Sequence, residues 1–480
     1  MKKQLSHQIF WGATWLNIAN GASMAMGFLQ QIVFVRCMGL SQYGSMQIAV
    51  AAFEVAVAFF DFNLYYSAIR YGGEALGRGD QRKFEEVFSA ALQIKAILAA
   101  LLLVMATVVW GIGASYRGTT LGIPFLILAS NYLFSSLLGY ATTLYNTEKR
   151  FGVVSLQNAA MSFATSIAMM TAAFLRGTVV SVLLGQMIAT FIVATIALFV
   201  VRRKIYFRRI RRTVLNEVAV YAGQFAISSI MKRILGKTDT LIVGYFLTTR
   251  DVGLYRIAQT FASPIYNAIS PLWNVLFPIV AELSGKEDYP KLMTLFQRGS
   301  RLLTVAAIPA AGFGSLLIAQ FLLIAYKVDA PEAVSTSLLL FWASAISATI
   351  PMCPPIIRVF RNDVATWYSV VATVLNTMLD LLLVPYIGIL GCGIATLMVV
   401  SLGATFMYVY VHRFLSARTP PAESSPHLFF FAAAIGLMIF GWMHLHAITA
   451  AGAAALVVAA FAFRMISLRE IRQLFGDLRR

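Results

Sequence analysis

Residues 179–212 read VVSVLLGQMIATFIVATIALFVVRRKIYFRRIRR. The run 179–201 carries no ionisable side chain, and about 20 apolar residues in a helix cross the hydrocarbon core of a bilayer. Seven cations follow: Arg202, Arg203, Lys204, Arg208, Arg209, Arg211 and Arg212. An uncharged span ending in a cationic belt is the pattern of a membrane helix with its basic end in the cytoplasm. The rest of the chain has the same character. Of 480 residues, 59% are hydrophobic and only 12% charged, and the mean hydropathy is +0.76. A soluble domain carries about a quarter charged residues, and cores in water cannot hide this much apolar surface. The bilayer is therefore the solvent for most of the protein.

Polar punctuation divides the chain into spans near 9–34, 43–69, 84–111, 120–146, 152–175 and 179–201. A second set lies near 219–247, 252–281, 299–325, 333–357, 364–386 and 389–412, and a last pair near 428–445 and 448–465. Met1-Lys2-Lys3 precedes the first run without a cleavage site, so an uncleaved first helix is expected rather than a signal peptide. With the N-terminus in the cytoplasm, Arg36, Arg117, Arg176, Arg250 and Lys327 fall outside. Lys95, Lys232, Arg233, Lys237 and Arg256 fall within spans, and the other 28 of the 38 Lys and Arg are cytoplasmic. This asymmetry requires an even number of helices and places both termini in the cytoplasm. It also accounts for the net charge of +18 without nucleic acid as a partner.

The chain repeats itself after about 208 residues. Glu74-Ala75-Leu76-Gly77-Arg78-Gly79-Asp80 matches Glu282-Leu283-Ser284-Gly285-Lys286-Glu287-Asp288, and Gly44-Ser45-Met46-Gln47-Ile48-Ala49 matches Gly253-Leu254-Tyr255-Arg256-Ile257-Ala258. Six helices per half is an even number, so both halves enter the membrane in the same sense. The expected architecture is an all-α integral membrane protein of about fourteen transmembrane helices. Residues 1–205 form an N-terminal six-helix lobe and 206–415 a C-terminal one, two parallel repeats around a central cavity. Residues 416–480 form a terminal helix pair and a basic cytoplasmic tail.

Ionisable residues at bilayer depth cost about 2.5–3.5 kcal/mol each on insertion scales and must pair or face water. On the seventh span, Ser228, Ser229, Lys232, Arg233, Gly236, Lys237, Asp239 and Thr240 share one arc of a helix drawn at 100° per residue. Three cations against one carboxylate point to an anion site facing a cavity; pairing of Lys232 with Asp239 or with carboxylates on neighbouring helices is the structural alternative. The eighth span carries a polar stripe through Arg256, Gln259, Ser263, Asn267, Ser270 and Asn274, with Pro264, Pro271 and Pro278 at intervals of seven. This is either a bendable cavity wall or ordinary kinked packing. Glu54, Asp61 and Asp380 are the deep carboxylates outside that arc, and they are the candidates for a coupling proton or monovalent cation. For Asp380, with Asn376 one turn earlier, a helix–helix hydrogen bond is the alternative.

Enzyme signatures are absent from the sequence. Gly111-Ile112-Gly113 is a fragment within a span rather than a nucleotide loop, and no nucleophile–base pair or P-loop is present. His444 and His446 have no further ligand nearby, and Cys37, Cys353 and Cys392 lack metal or redox spacing and read as packing residues.

Three segments carry a resemblance: RCMGLSQYG at 36–44, KTDTLIVGYF at 237–246 and VGLYRIA at 252–258. With this layout the chain resembles the polysaccharide transporter family, the Wzx-type O-antigen and exopolysaccharide flippases of the multidrug/oligosaccharidyl-lipid/polysaccharide exporter superfamily. The resemblance implies a transporter of the bacterial cytoplasmic (inner) membrane, not an enzyme. It implies that an undecaprenyl-pyrophosphate-linked oligosaccharide moves from the cytoplasmic to the periplasmic leaflet by alternating access, for polysaccharide or O-antigen biosynthesis. Membrane lipids and polysaccharide polymerase machinery are then the further partners, and a coupling ion is the one cofactor to consider.

Lys232, Arg233, Lys237, Asp239, Arg256, Gln259 and Asn267 would line the substrate cavity, their cations meeting the pyrophosphate or acidic sugars. The alternatives are a drug/cation antiporter of the same superfamily, usually of twelve helices, or a lipid II flippase. A polymerase or lipid-linked glycosyltransferase is a rival of another class, but such polymerases carry a large periplasmic loop that this chain lacks. A single cysteine placed within 446–449 should react with a membrane-impermeant thiol reagent added from the periplasmic side. Labelling only from the cytosolic side would rule out the fourteen-helix layout.

Overall fold

The computed structural model describes residues 21–418 apart from 62, 63, 209 and 270. The expected spans 428–445 and 448–465, the basic tail and the start of the first span lie outside the described residues. Packing divides the chain into two units, Met1–Gly253 and Leu254–Arg480. The first holds α1 (21–38), α2 (Leu40–Ala58), α3 (Leu64–Gly77), α4 (Gln81–Gly111), α5 (Gly122–Thr147), α6 (Phe151–Arg176), α7 (Val179–Val201) and α8 (Arg212–Phe246). Helix α9 (Thr249–Ile269) begins in this unit and continues into the second. There it is followed by α10 (Pro271–Gly285), α11 (Tyr289–Phe321), α12 (Pro331–Ala348), α13 (Cys353–Phe360), α14 (Asn362–Ile387) and α15 (Ile389–Ser416). Helix α8, which the repeat assigns to the second lobe, packs in the first unit against α2, α3 and α4. In the second unit, α15 packs against α12 and α14.

Among the described residues, α4, α5, α6, α7, α11, α14 and α15 are long and apolar enough to cross a membrane. Their faces are sorted for lipid. On α4, Ile97, Leu101, Val104 and Val108 form one exposed apolar stripe, while Val87, Ala91, Leu102 and Ala106 are buried. Side chains three and four apart share a helix face, so the stripe is the surface offered to acyl chains.

Among the described residues, two spans expected as continuous helices are interrupted. The span 43–69 breaks after Ala58, where the chain turns through Phe59, Phe60 and Asp61 before α3. The span 252–281 is helical on both sides of residue 270, which lies outside the described residues. The span 333–357 is α12 and α13 bent by 54°, with Pro351 in the break and Pro354 and Pro355 opening α13. The strands are a small addition to an all-α fold: β1 (Ser115–Tyr116) and β2 (Thr119–Thr120) make a hairpin between α4 and α5. Its turn residues Arg117 and Gly118 have φ of 49° and 81°, the two positive values that a tight twisted hairpin requires.

The repeat is written in the backbone. Gly79 (φ 72°) and Glu287 (φ 55°) each close a helix in the left-handed conformation. The following Asp80 donates its N–H to the Ala75 carbonyl at 2.9 Å, and Asp288 donates to Leu283 at 3.0 Å. Each aspartate then caps the next helix, Asp80 accepting from the Lys83 N–H and Asp288 from the Lys291 N–H. The same closure and cap thus recur 208 positions apart. Gly177 and Gly388 likewise share positive φ between α6 and α7 and between α14 and α15.

The repeat-related Gly44 and Gly253 are packed reciprocally. A Cβ on Gly44 would overlap the Thr249 carbonyl, and one on Gly253 would lie 2.6 Å from the Leu40 carbonyl oxygen. A β-carbon in the left-handed region costs about 1–2 kcal/mol, and Glu287 occupies that region where its counterpart is glycine. Glu287→Gly is expected to raise the thermal unfolding temperature of the detergent-solubilised protein, and Gly79→Val to lower it; an unchanged or lower midpoint for Glu287→Gly would contradict the assignment.

Candidate functional site

Arg233 lies near the middle of α8, where no main-chain end is close enough to serve it. Its guanidinium reaches two carboxylates, donating to Glu54 Oε2 at 3.1 Å and to Asp61 Oδ2 at 2.5 Å. Asp61 is held from its other side by Lys95 Nζ, 2.5 Å from Oδ1. Glu54 projects from α2, Asp61 from the break that follows it, Lys95 from α4 and Arg233 from α8. Two cations and two anions therefore form one neutral chain of charge across three helices and a turn. The break matters: leaving the helix at Ala58 lets Asp61 stand between α4 and α8 while Glu54 stays on α2.

Aromatic rings enclose the inner end. Lys95 Nζ is 5.0 Å from the Tyr132 ring centroid and 5.5 Å from that of Tyr65, within reach of the ring quadrupole. The Tyr65 hydroxyl donates to the Ser136 carbonyl, which fixes α3 against α5. Burial is graded along the chain of charge: the side chains of Lys95 and Asp61 are 6% and 12% exposed, those of Arg233 and Glu54 34% and 36%. One end is sealed in the packing and the other is partly exposed.

The linker between α7 and α8 is tied to the same unit. Arg211 Nε donates to the buried Glu86 at 2.7 Å, Lys204 pairs with Glu148 and Arg208 with Glu85. At the other end of α8 the hairpin grips its main chain: Tyr116 donates to the Leu241 carbonyl at 2.9 Å and Arg117 to that of Tyr245 at 2.8 Å.

Of the expected cavity residues, Arg233 is joined to Glu54 and Asp61 in this cluster. Lys237 and Asp239 are half-buried on α8. The side chains of Lys232, Ser228 and Ser229 lie outside those described. In the second unit, Arg256 donates to Gln259 one turn along α9, and Asn267 is exposed. Asp380 is fully buried on α14 and accepts from Asn376 Nδ2 at 2.9 Å. Lys95, Tyr65 and Tyr132 belong to the site without having been assigned a role from sequence. The signal was a single lysine inside an apolar span, which obliges a partner.

Several proteins of known kind are similar to this chain. A family model described as polysaccharide biosynthesis protein matches residues 9–284. The probable flippase AglR of Haloferax volcanii is 23% identical over 207 residues, 42% of this chain and 43% of AglR, so the match spans less than half of that relative. The lipid II flippase MurJ in an inward closed conformation superposes with a TM-score of 0.67 at 14% identity, over 94% of this chain and 99% of MurJ. An inward-facing multidrug resistance MATE family transporter of the MOP superfamily gives 0.70 at 12% identity, over 84% and 98%. At such identities the solved structures establish a shared fold.

Removing one partner of a buried ion pair leaves an uncompensated charge at a cost of about 3–5 kcal/mol. Lys95→Met should therefore lower thermal stability in detergent markedly, and the double change Lys95→Met with Asp61→Asn should recover most of the loss. Equal destabilisation by the single and double variants would show that the pair is not coupled.

Proposed function

The chain belongs to the family of polysaccharide biosynthesis proteins, and we propose that it is a flippase. Its substrate is an oligosaccharide linked to undecaprenyl pyrophosphate, carried from the cytoplasmic to the periplasmic leaflet by alternating access. The observation that carries this reading is the half-exposed Arg233, a cation at bilayer depth whose present partners are two carboxylates of its own chain. A pyrophosphate offers the same bidentate geometry with greater charge, so it competes for the guanidinium on favourable terms. Hydrogen bonds to charged groups contribute about 1.5–3 kcal/mol each. Exchanging Glu54 for a phosphate oxygen replaces one such bond with another. The net affinity stays moderate, and a transporter that must also release its cargo needs that.

The same cluster weighs against a drug/cation antiporter. Glu54 and Asp61 are both engaged by Arg233 and Lys95, so a cationic drug would have to displace a side-chain cation from one of these carboxylates. Lys232 and Lys237 on α8, with Asp239, extend the anion-binding face in this reading. Arg256, Gln259 and Asn267 contribute contacts to the glycan. The coupling ion is a proton or monovalent cation taken up at Glu54, Asp61 or Asp380; Glu54 is the most accessible of the three, and its protonation would free one arm of Arg233.

With membrane levels checked, Arg233→Gln should cut glycan export about ten-fold or more, since one charge-assisted contact exceeds the 1.4 kcal/mol that a decade represents. Arg233→Lys should retain part of the activity, and Lys327→Gln should change little. If Gln at 232, 233 and 237 together leaves export unchanged, the anion-site reading is wrong.

A further inference from the structure

Away from the charged cluster, α1, α2, α6 and α7 of the first unit line a partly open cavity of about 330 Å³. The turn between α6 and α7 packs on the end of α1: a Cβ on Gly177 would lie 3.0 Å from the Cys37 carbonyl oxygen. Gln47 and Gln186 line the cavity, each about 10 Å along its helix from the start at Leu40 or Val179.

The lining is polar but uncharged. Ser23, Gln30, Gln47, Ser162, Ser166 and Gln186 contribute, with Phe34 and Met46 beside them, and no described lining residue is ionisable. Gln30 is partly satisfied within the protein: its Oε1 accepts from Ser166 at 3.0 Å and its Nε2 donates to Met169 Sδ at 3.1 Å. The side-chain amides of Gln47 and Gln186 make no hydrogen bond among the described residues. Polar groups in a helical bundle normally bond across helices, and two amides lining a common space suit a ligand that supplies both donors and acceptors.

We propose that this cavity is a subsite for one neutral sugar residue of the transported glycan, an inference that rests on the flippase reading. A sugar hydroxyl both donates and accepts, as an amide does, and the C–H face of a sugar ring suits the Phe34 and Met46 side of the wall. An anion would need a cation in the lining and a drug-like cation a carboxylate; the described lining offers neither. Ligand pockets begin at about 300 Å³, so this volume takes a single residue at a time. Sugar recognition and pyrophosphate recognition then occupy separate places in the first unit, one without charge and one built from charge.

The test is a ratio of affinities. The purified full-length protein is titrated with polyprenyl pyrophosphate bearing the host glycan and with the same lipid free of sugar. The wild type should bind the glycan-bearing lipid about ten-fold or more tightly than the sugar-free one. Gln47→Leu with Gln186→Leu should bring the ratio close to one, and Gln186→Asn should preserve most of it. A variant that weakens both lipids equally, or leaves the ratio unchanged, overturns the subsite, the first by showing a structural role and the second a cavity that holds water only. If neither lipid binds the wild type, the flippase reading itself fails. A second measurement does not depend on the double variant folding. Ser162→Cys, with Cys37→Ser to remove the exposed thiol, should be shielded from a small thiol reagent by the glycan-bearing lipid alone; equal shielding by both lipids or none also overturns the subsite.

Discussion

A charge in hydrocarbon must be answered by another charge, and that obligation organises the first unit. Lys95 cannot reach either surface from the middle of α4, so Asp61 must come to it, and Asp61 can do so only if α2 stops at Ala58. The second oxygen of Asp61 then reaches Arg233 on α8, and Arg233 in turn reaches Glu54. One requirement, passed from residue to residue, fixes where a helix ends and which helices are neighbours. Attraction grows as the local dielectric falls, but so does the desolvation cost. The cluster therefore contributes more to the uniqueness of the arrangement than to its total stability.

The gradient of exposure along the cluster separates two roles that a uniformly buried network would merge. The Lys95–Asp61 pair is enclosed by the Tyr65 and Tyr132 rings and behaves as scaffold. The Arg233–Glu54 pair stands open enough for its partners to be exchanged. A guanidinium fixed from one side by Asp61 keeps its position while the bond on its other side is remade.

Much of this was legible in the sequence, and the reason lies in the solvent. Apolar runs such as 179–201 must be helical in a bilayer, where every main-chain group has to be satisfied locally. The match of Glu74–Asp80 with Glu282–Asp288 is a local signal too, and the two segments adopt the same closure and cap. The breaks were less visible. Apolarity alone does not distinguish a straight span from one that turns at Asp61, because Phe59 and Phe60 keep the run apolar. Helical periodicity places Arg233 on a polar arc but says nothing of which helix faces that arc, so its contact with Asp61, 172 positions earlier, is visible only in the folded chain. Gln47 and Gln186 were silent for the same reason: each is an uncharged amide on a mostly apolar helix, and only the folded chain brings them to a common space.

The reciprocal glycines have an implication for how such a chain can vary. Copies of a repeat ordinarily drift apart, since each is judged by its own surroundings. Gly44 and Gly253 are judged by each other's helix, and what limits them is a carbonyl oxygen rather than a side chain. Main chain cannot be substituted away. No compensating change in one copy relieves a methyl group added to the other, so this column of the duplicated sequence behaves as a single heritable site written twice.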